Sequence, residues 1–402
     1  MKGAAMPVQN VASTSLVQMA YIKEVTNGQT PSIGKGQDLR FTGESLSQTI
    51  TKETSKEIEA SRQTRSMFLT NAEVGGGLNF ELSSGTYDDF LEALLMGPWS
   101  TFGTNGKVTA GSTTFAVSGS TYTITTTNAL TGLEVGDYFS VTGTNVNAAN
   151  RGPHRVKSIS PDKKIVTVFG PVEVQTVTAA TVNSGKLTNG TTVNSFTLEK
   201  RYTDINQTFV YRGMRVSKGS FPFEMRSAIT GSFDFTGKTS EVTTGLNLGD
   251  KTAYNTSTTT PVIDSVIGMK DVLFNGVPTN DRMSAGLTKV NLDIDNKLQA
   301  LGGIGVLGSV DVMTGTLSVS GSMEMYLNNA ELYNSVLTQE RFRVEWSCYD
   351  KDGHGYAFVL PSVELDSPES NVGQKDEGAV ITVKFNALMD PTTQKTVFIY
   401  RF

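Results

Sequence analysis

The chain of 402 residues has little of the side-chain chemistry on which enzymes and metal centres most often depend. It contains a single cysteine, Cys348, and two histidines, His154 and His354. A lone cysteine cannot form an intrachain disulfide, and its presence fits a reducing site of synthesis. Cys348 alternates with Val344 and Trp346 on one face of a predicted strand, so we expect a packed core thiol.

The sequence contains no catalytic or cofactor-binding motif with the context that such a motif requires. The two histidines fall in different predicted domains, and each is interpreted as a turn or surface residue. Residues 303–308 spell GxGxxG, but a nucleotide-binding fingerprint requires a helix after it, and extended chain follows here. Asp350 and Asp352 begin a run that resembles a calcium loop but lacks the later carboxylates, which indicates a hairpin turn. The sequence therefore predicts no enzyme, no metal site and no cofactor.

Charge and hydropathy argue against a nucleic-acid-binding protein, a membrane-spanning protein and an exported protein. The net charge of −5 gives no basic footprint for binding nucleic acid through its phosphates. The chain has no run of about 18 apolar residues, and its N-terminus lacks a signal-peptide pattern. We therefore expect a soluble chain that is not exported.

Two stretches of the sequence share an unusual order, in which a long alternating strand leads directly into a short helix. Residues 317–327 alternate apolar and polar side chains, and an apolar cluster at residues 332–337 follows a capping pair, Asn328 and Glu331. Residues 78–96 repeat this order, with Thr86 and Asp89 as the capping pair. The pattern predicts one short helix after Asp89 and another at residues 329–337.

The flanking sequence indicates that the whole chain is an internal duplication. The stretch TFVYRGMRV (residues 208–216) overlays AFVLPSVEL (residues 357–365), and ITGSFDF corresponds to ITVKF further on. The first copy is much longer between its helix and this strand. The extra segment, residues 101–194, is poor in charge, rich in Thr, Ser, Asn, Gly and Val, and patterned as short strands with turns. It is interpreted as an inserted all-β domain.

Three domains follow from this interpretation: residues 1–100 with 195–250, the insertion at residues 101–194, and residues 251–402. Each copy also contains a long segment with little strand pattern. In the second copy it is the apolar, glycine-rich stretch at residues 296–315, with Ile304, Val306 and Leu307. In the first it is residues 52–77, with Met67 and Phe68. Long loops of this kind are usually functional, so these segments are predicted to be interaction arms.

The order of motifs in the second copy resembles the tail tube proteins of long-tailed bacteriophages. The resemblance rests on GSMEMYLNNAELYNSVL (residues 321–337), DKDGHGYAFVLPSVEL (residues 350–365) and KFNALMDPTTQKTVFIYRF (residues 384–402). It implies a mainly β fold of two tandem β-sandwich modules, each with a short helix, plus the inserted domain. It also implies a structural virion protein that polymerises into stacked rings, and the stack forms the hollow conduit for genome ejection. The two arms, with Ile304, Val306, Leu307, Met67 and Phe68, would then make the contacts between stacked rings.

The resemblance implies partners as well. The chain would bind copies of itself, as three chains per ring with pseudo-sixfold symmetry, because each chain supplies two modules. The tape measure protein and the tail terminator and tail tip proteins would be further partners. DNA would pass through the lumen without specific binding. The location would be the virion tail, after synthesis in the host cytoplasm.

A lumen that DNA must traverse favours acidic side chains over basic ones, because a basic wall would hold the phosphates. Alternation nominates Glu81 in the first copy and Asp293, Asp295 and Glu324 in the second as lumen-facing residues. Period-two alternation does not say which sheet lines the bore, so an ordinary outer surface remains the alternative for these four.

Two other functions remain open from the residues alone. A β-rich adhesin or receptor-binding protein fits the Ser, Thr, Asn and Gly content, but predicts aromatic platforms in loops, whereas Trp99 and Trp346 lie beside structural elements. A glycan-active enzyme would need paired carboxylates in a cleft, to which no motif points.

Overall fold

The computed structural model describes residues 11–100, 102–269, 272–278, 287–326, 339–371 and 378–402. Regular structure in these residues is almost entirely β, with two short α-helices and one short 3-10 helix. The predicted mainly β fold class is confirmed.

Regular structure in the described residues begins with the 3-10 helix at Thr14–Leu16. The elements that follow it, up to the first α-helix, are β1 (Val17–Lys23), β2 (Gln37–Leu39), β3 (Gly43–Glu44), β4 (Ser47–Thr54), β5 (Met67–Glu81) and α1 (Asp88–Leu95). The next group is β6 (Lys107–Ser118), β7 (Thr121–Thr126), β8 (Tyr138–Thr142), α2 (Ala148–Arg151), β9 (His154–Ile159), β10 (Ile165–Phe169) and β11 (Gln175–Asn183).

Five further strands complete the first half: β12 (Gly185–Thr188), β13 (Phe196–Tyr202), β14 (Gln207–Glu224), β15 (Thr230–Gly237) and β16 (Thr239–Thr243). The second half contains β17 (Leu273–Phe274), β18 (Val277–Pro278), β19 (Leu287–Asp295), β20 (Gln299–Gly302), β21 (Ser309–Met313), β22 (Ser318–Tyr326), β23 (Arg341–Tyr349), β24 (Gly355–Asn371), β25 (Val380–Ala387) and β26 (Phe398–Arg401).

Eight of these strands form one antiparallel sheet that crosses from the first half to the second. Their spatial order is β4-β5-β15-β14-β19-β22-β25-β24. We call it the long sheet. The ladder between β14 and β19 is the point at which the two halves join.

Two smaller sheets pack against the apolar face of the long sheet. In the first half the order is β2-β1-β13-β14-β16, and in the second half it is β17-β23-β24-β26-β12. The long strands β14 and β24 therefore each belong to two sheets. A single hydrophobic core fills the space between the layers and contains residues of both halves, together with α1.

The two halves repeat the same strand order within the long sheet. The run β4-β5-β15-β14 of the first half recurs as β19-β22-β25-β24 in the second. Both β14 and β24 carry a bulge where they enter the long sheet, after Val216 in one and after Leu365 in the other. A bulge adds a residue and bends the strand, which lets one strand leave one sheet and enter the next.

Strands β6 to β11 form a closed antiparallel barrel in the order β10-β7-β6-β11-β8-β9. It has a hydrophobic core of its own, built around Phe115, Ile124, Phe139 and Val166. Its first and last strands meet at its base, where the Ser184 backbone N–H donates to the Gly106 carbonyl at 2.9 Å. Closure leaves the barrel without open sheet edges.

The barrel ends before the predicted end of the insertion at residue 194. Strand β12 lies outside it and pairs with β26 of the second half, with Leu187 fully buried in the main core. The next turn then caps α1, because the N–H groups of Gly190 and Thr192 donate to the carbonyls of Leu95 and Met96. Residues 185–194 therefore hold the two halves together.

Of four local expectations, two are wrong, one is confirmed and one lies outside the described residues. The capping pair Thr86–Asp89 was wrong: α1 begins at Asp88 without a side-chain cap, and the Thr86 hydroxyl bonds Ser83 at 2.7 Å. His154 is not a surface residue, because its ring is buried and its Nε2 lies 2.9 Å from the Asn150 carbonyl oxygen. Cys348 is a buried core thiol, as expected, and burial raises its pKa to about 12. The helix predicted at residues 329–337 lies outside the described residues.

The segments predicted as poorly patterned arms are β-hairpins. Residues 52–77 contain the end of β4 and most of β5, which pair from Ser47 with Gly75 to Thr54 with Met67. Residues 296–315 contain β20 and β21, which pair with each other. Weak alternation hid them because the outer part of the first hairpin and all of β20 are exposed on both faces, and β21 buries only Ser309 and Val312, which are three residues apart.

The barrel boundary gives a testable prediction. Replacing residues 107–183 by a two-glycine linker should leave a folded chain, because Gly106 and Ser184 already contact each other. Removing residues 101–194 instead deletes β12 and the buried Leu187, and loss of one such leucine alone costs about 2–5 kcal/mol. Thermal unfolding followed by circular dichroism should show a clearly lower midpoint for the second deletion. Equal midpoints would contradict this role of β12.

Candidate assembly surface

One face of the long sheet is polar from its first strand to its last. Strand registers connect the four predicted acids: Glu81 lies opposite Thr230 across β5 and β15, and Asp293 lies between Ser220 and Ser320 across β14, β19 and β22. Asp295 and Glu324 follow at even spacing on the same strands. Since residues at even spacing share a face, the four side chains lie on one side of one sheet.

Carboxylates outnumber lysines along the described part of this face. The carboxylates on this face include Glu73, Glu81, Glu224, Asp234, Asp293, Asp295, Glu324 and Glu369, and the basic side chains are Arg215 and the lysines Lys218, Lys289 and Lys384. Each lysine is already paired: Lys218 with Asp293 at 3.4 Å, Lys384 with Glu369 at 3.0 Å, and Lys289 with Glu224. The face therefore presents net negative charge to solvent.

The opposite face of the same strands is the floor of the hydrophobic core. It carries Phe80, Phe233, Phe221, Leu292 and Met323 from five neighbouring strands, all nearly or fully buried. Gly321 lies where the Phe385 ring crosses β22, and a Cβ there would be 2.0 Å from the Asn291 carbonyl oxygen. This close approach explains a glycine in the middle of a central strand.

The two outermost strands of the long sheet each have an open edge. All eight residues of β4 are exposed, and β4 pairs only with β5 within the described residues. Strand β24 pairs with β23 and β26 up to Glu364, but from Leu365 to Asn371 its described pairing is with β25 alone. An open edge presents unpaired backbone groups and is a ready surface for another strand.

Two hairpins project from the same end of the long sheet, which we call the arm rim. The first arm is the two-stranded ribbon of β4 and β5 beyond Ala72, where Met67, Phe68 and Leu69 are exposed. The second arm is the β20–β21 hairpin, with Ile304, Val306 and Leu307 exposed at its tip. A two-stranded ribbon is marginal by itself, so the exposed outer parts of these arms fit a role in contacts between chains.

The base of the second arm is bound to the first half of the same chain. Asp311 pairs with Arg215 at 3.1 Å and accepts a hydrogen bond from Asn27 at 3.0 Å, and Arg215 also bonds the Val312 carbonyl. The tip passes close to the base of the first arm, since a Cβ at Gly308 would lie 3.5 Å from the Ala72 carbonyl oxygen. Both arms therefore occupy one rim.

Side-chain contacts at the N-terminus of α1 lock the two halves further. The Tyr356 hydroxyl donates to Asp88 at 2.7 Å and accepts from the Gly85 N–H at 2.8 Å. Arg401 binds the other oxygen of Asp88 at 2.6 Å while its guanidinium stacks on Trp99. Burial raises the pKa of the Tyr356 phenol well above its ordinary value, so it remains a donor.

The barrel packs against the second half, although it is encoded within the first half. Tyr138 packs with Val359, Phe398 and Tyr400, and Arg155 forms a 2.7 Å ion pair with the fully buried Glu345. Sequence reasoning missed these contacts, because nothing local to residue 155 or 345 signals a partner so distant in the chain.

No other kind of site emerges from the described part of the chain. There, no group of three or more His, Cys, Asp or Glu side chains is placed to hold a metal ion. The GxGxxG stretch forms the tip of the second arm, where β21 and no helix follows it. None of the described helices is long and apolar enough to cross a membrane.

Comparison with known proteins identifies the family. The family described as phage tail tube protein matches residues 14–387, which is nearly the whole chain. The chain belongs to this family and is a structural component of a phage virion tail. No curated protein matches it. The family match supports the tail tube over the adhesin and glycan-active enzyme alternatives.

The close approach at Gly321 predicts a specific weakness of the long sheet. Gly321→Ala should lower the free energy of unfolding by about 1–3 kcal/mol, because the new methyl group must displace the Asn291 carbonyl or the Phe385 ring. The matched control is Gly302→Ala in β20, where no atom lies within 4 Å of the added group, with an effect within about 0.5 kcal/mol. Urea unfolding measures both. Equal effects would contradict the packing argument.

Proposed function

We propose that this chain polymerises into stacked rings that form the tail tube, and that the polar face of the long sheet lines its lumen. The observation that carries the proposal is the continuous ladder of eight strands with one open edge on each side. When the β24 edge of one chain pairs with the β4 edge of the next, the unpaired backbone groups of both edges form hydrogen bonds, as they do when a barrel closes. The wall is then a single sheet.

The internal junction supplies the template for the junction between chains. Strand β14 is the last of the first four strands and β19 the first of the next four, so β24 and β4 of a neighbouring chain are the corresponding pair. Ser220 lies opposite Asp293 at the internal junction. Their equivalents in the repeated strand order are Glu369 and Ser47. We therefore propose that Glu369 lies opposite Ser47 of the next chain.

Three chains per ring is the stoichiometry we propose. Three chains with eight strands each make a wall of 24 strands. With strands about 4.8 Å apart, this wall has a diameter of roughly 37 Å between backbones, and strand tilt makes it wider. Two chains would give roughly 24 Å, which side chains on the inner face largely fill. Three fused pairs thus make a pseudo-sixfold ring with room for a DNA duplex.

The two halves act as tube modules in this proposal, with the domain limits predicted from the sequence, namely residues 1–100 with 195–250 and residues 251–402. The inserted barrel, residues 107–183, lies on the other side of the core from the polar face and so decorates the outside. The tape measure protein in the lumen and the terminator and tip proteins at the tube ends are the proposed partners. We place synthesis in the host cytoplasm.

Negative-stain microscopy of the purified protein tests the tube, and disulfide trapping tests the ring. A Ser47→Cys, Glu369→Cys double variant should form covalent trimers in oxidised tubes, because residues directly opposite each other have Cα atoms about 4.5–5.5 Å apart. The buried Cys348 should not interfere. Each single-cysteine variant is the control and should stay monomeric on a denaturing gel. Tubes whose double variant gives six-chain products, or no cross-link, would overturn the proposed ring.

The lumen assignment predicts a charge effect on genome delivery. Replacing Glu81, Asp293, Asp295 and Glu324 by lysine should leave tubes assembled but slow or stop ejection, because a basic wall attracts phosphates over about 8 Å at physiological salt. Potassium efflux or DNA release from the phage measures the rate.

The control for this charge change replaces four exposed carboxylates that lie away from the long sheet. They are Asp162, Glu173, Glu241 and Asp250. This variant carries the same change in net charge and should eject at the parental rate. A lumen variant that ejects as fast as the control would remove these four acids from the bore.

A further inference from the structure

The rim of the long sheet opposite the arms carries an exposed apolar patch. This second rim, the turn rim, is where β5 and β14 end and β19 begins. The turn after β14 exposes Met225, and the segment before β17 exposes Val266 and Ile267, with 49%, 68% and 74% of each residue accessible. We call these three residues the turn patch. None of them was singled out by sequence pattern.

The backbone around the turn patch is held in place. The Ser265 N–H donates to the Ser227 carbonyl at 3.0 Å, and the Met225 N–H donates to the Thr288 carbonyl at 3.0 Å. One oxygen of Asp264 accepts from the N–H groups of Val266 and Ile267 at 2.8 and 2.9 Å. The apolar side chains therefore stand on a fixed turn, where their exposure reflects the fold.

The arm rim and the turn rim are complementary but cannot meet within one chain. Strand β5 runs from Met67 at one rim to Glu81 at the other, so the exposed Met67 and Phe68 lie a full strand length from the turn patch. The same separation holds for Ile304 at the second arm. Two different apolar surfaces at opposite ends of one subunit make a head-to-tail contact, and repetition of such a contact builds a filament.

From this arrangement we propose that the turn patch is the surface that receives an arm tip from a second copy of this chain in the next ring. The inference rests on the proposed function and assigns the stacking contact to Met225, Val266 and Ile267. The occupant is another copy because the same chain carries both halves of the contact and the arms of every chain in a ring point along one direction. Burying these side chains removes apolar surface from water on both rims.

Cysteine trapping in assembled tubes tests the contact directly. Ile267→Cys is combined with Phe68→Cys in one variant and with Ile304→Cys in another, in a chain whose native Cys348 is buried. Mild oxidation should convert one of the two double variants into a ladder of linked chains that extends beyond a single ring. Each single-cysteine variant should give no ladder, because a head-to-tail contact does not place a residue opposite itself.

Substitution of the turn patch gives an independent readout. Met225→Ser, Val266→Ser and Ile267→Ser together should leave rings intact and raise the protein concentration needed for tube growth at least tenfold. The matched control is Val135→Ser with Val174→Ser, two exposed apolar residues of the barrel. This control should form tubes at the parental concentration, and circular dichroism checks that both variants are folded.

The outcomes separate this inference from the function on which it rests. Tubes that form normally but give no ladder from either double variant, or grow normally from the triple serine variant, overturn the turn patch as the stacking surface. Failure of the unmodified chain to form rings or tubes overturns the proposed function, and this inference with it.

Discussion

The backbone ladder between β14 and β19 is the interaction on which the rest of the architecture depends. It joins seven residue pairs, from Lys218 with Asp295 to Glu224 with Lys289, and makes one sheet out of two repeated sets of strands. Each backbone hydrogen bond adds only about 0.5–1.5 kcal/mol net, but the ladder also fixes the register. A slip of one residue would carry Leu292 and Ile294 from the core to the polar face.

That register is secured from the other layer as well. Strands β14 and β24 each begin in a smaller sheet and enter the long sheet at a bulge, so a shift in one layer would break pairing in the other. The contacts of Asp88 with Tyr356 and Arg401, and the pairing of β12 with β26, tie the halves at two further points. Relative motion of the halves is therefore opposed in three places.

Much of this fold could be read from the sequence, since β19 and β22 alternate cleanly and carry their acids on one face. The position of the polar face, the helix α1 and the existence of an all-β insertion followed from period and composition. The arms were misread as loops because a ribbon exposed on both sides has no apolar face to reveal it. The pairing of β12 with β26 and the ion pair of Arg155 with Glu345 could not be predicted, because contacts between residues more than a hundred positions apart leave no local sequence pattern.

Fusion of two modules has an energetic consequence for the proposed ring. Each association between separate chains costs an estimated 4–15 kcal/mol in lost translational and rotational freedom. Three fused pairs need two such associations to form a ring, whereas six separate modules would need five, because β14 and β19 are already held together. Fusion also lets the copies differ, so the barrel is present once in each pair. In a pseudo-sixfold wall it would then stand over every second module, a pattern that a single-module chain cannot produce.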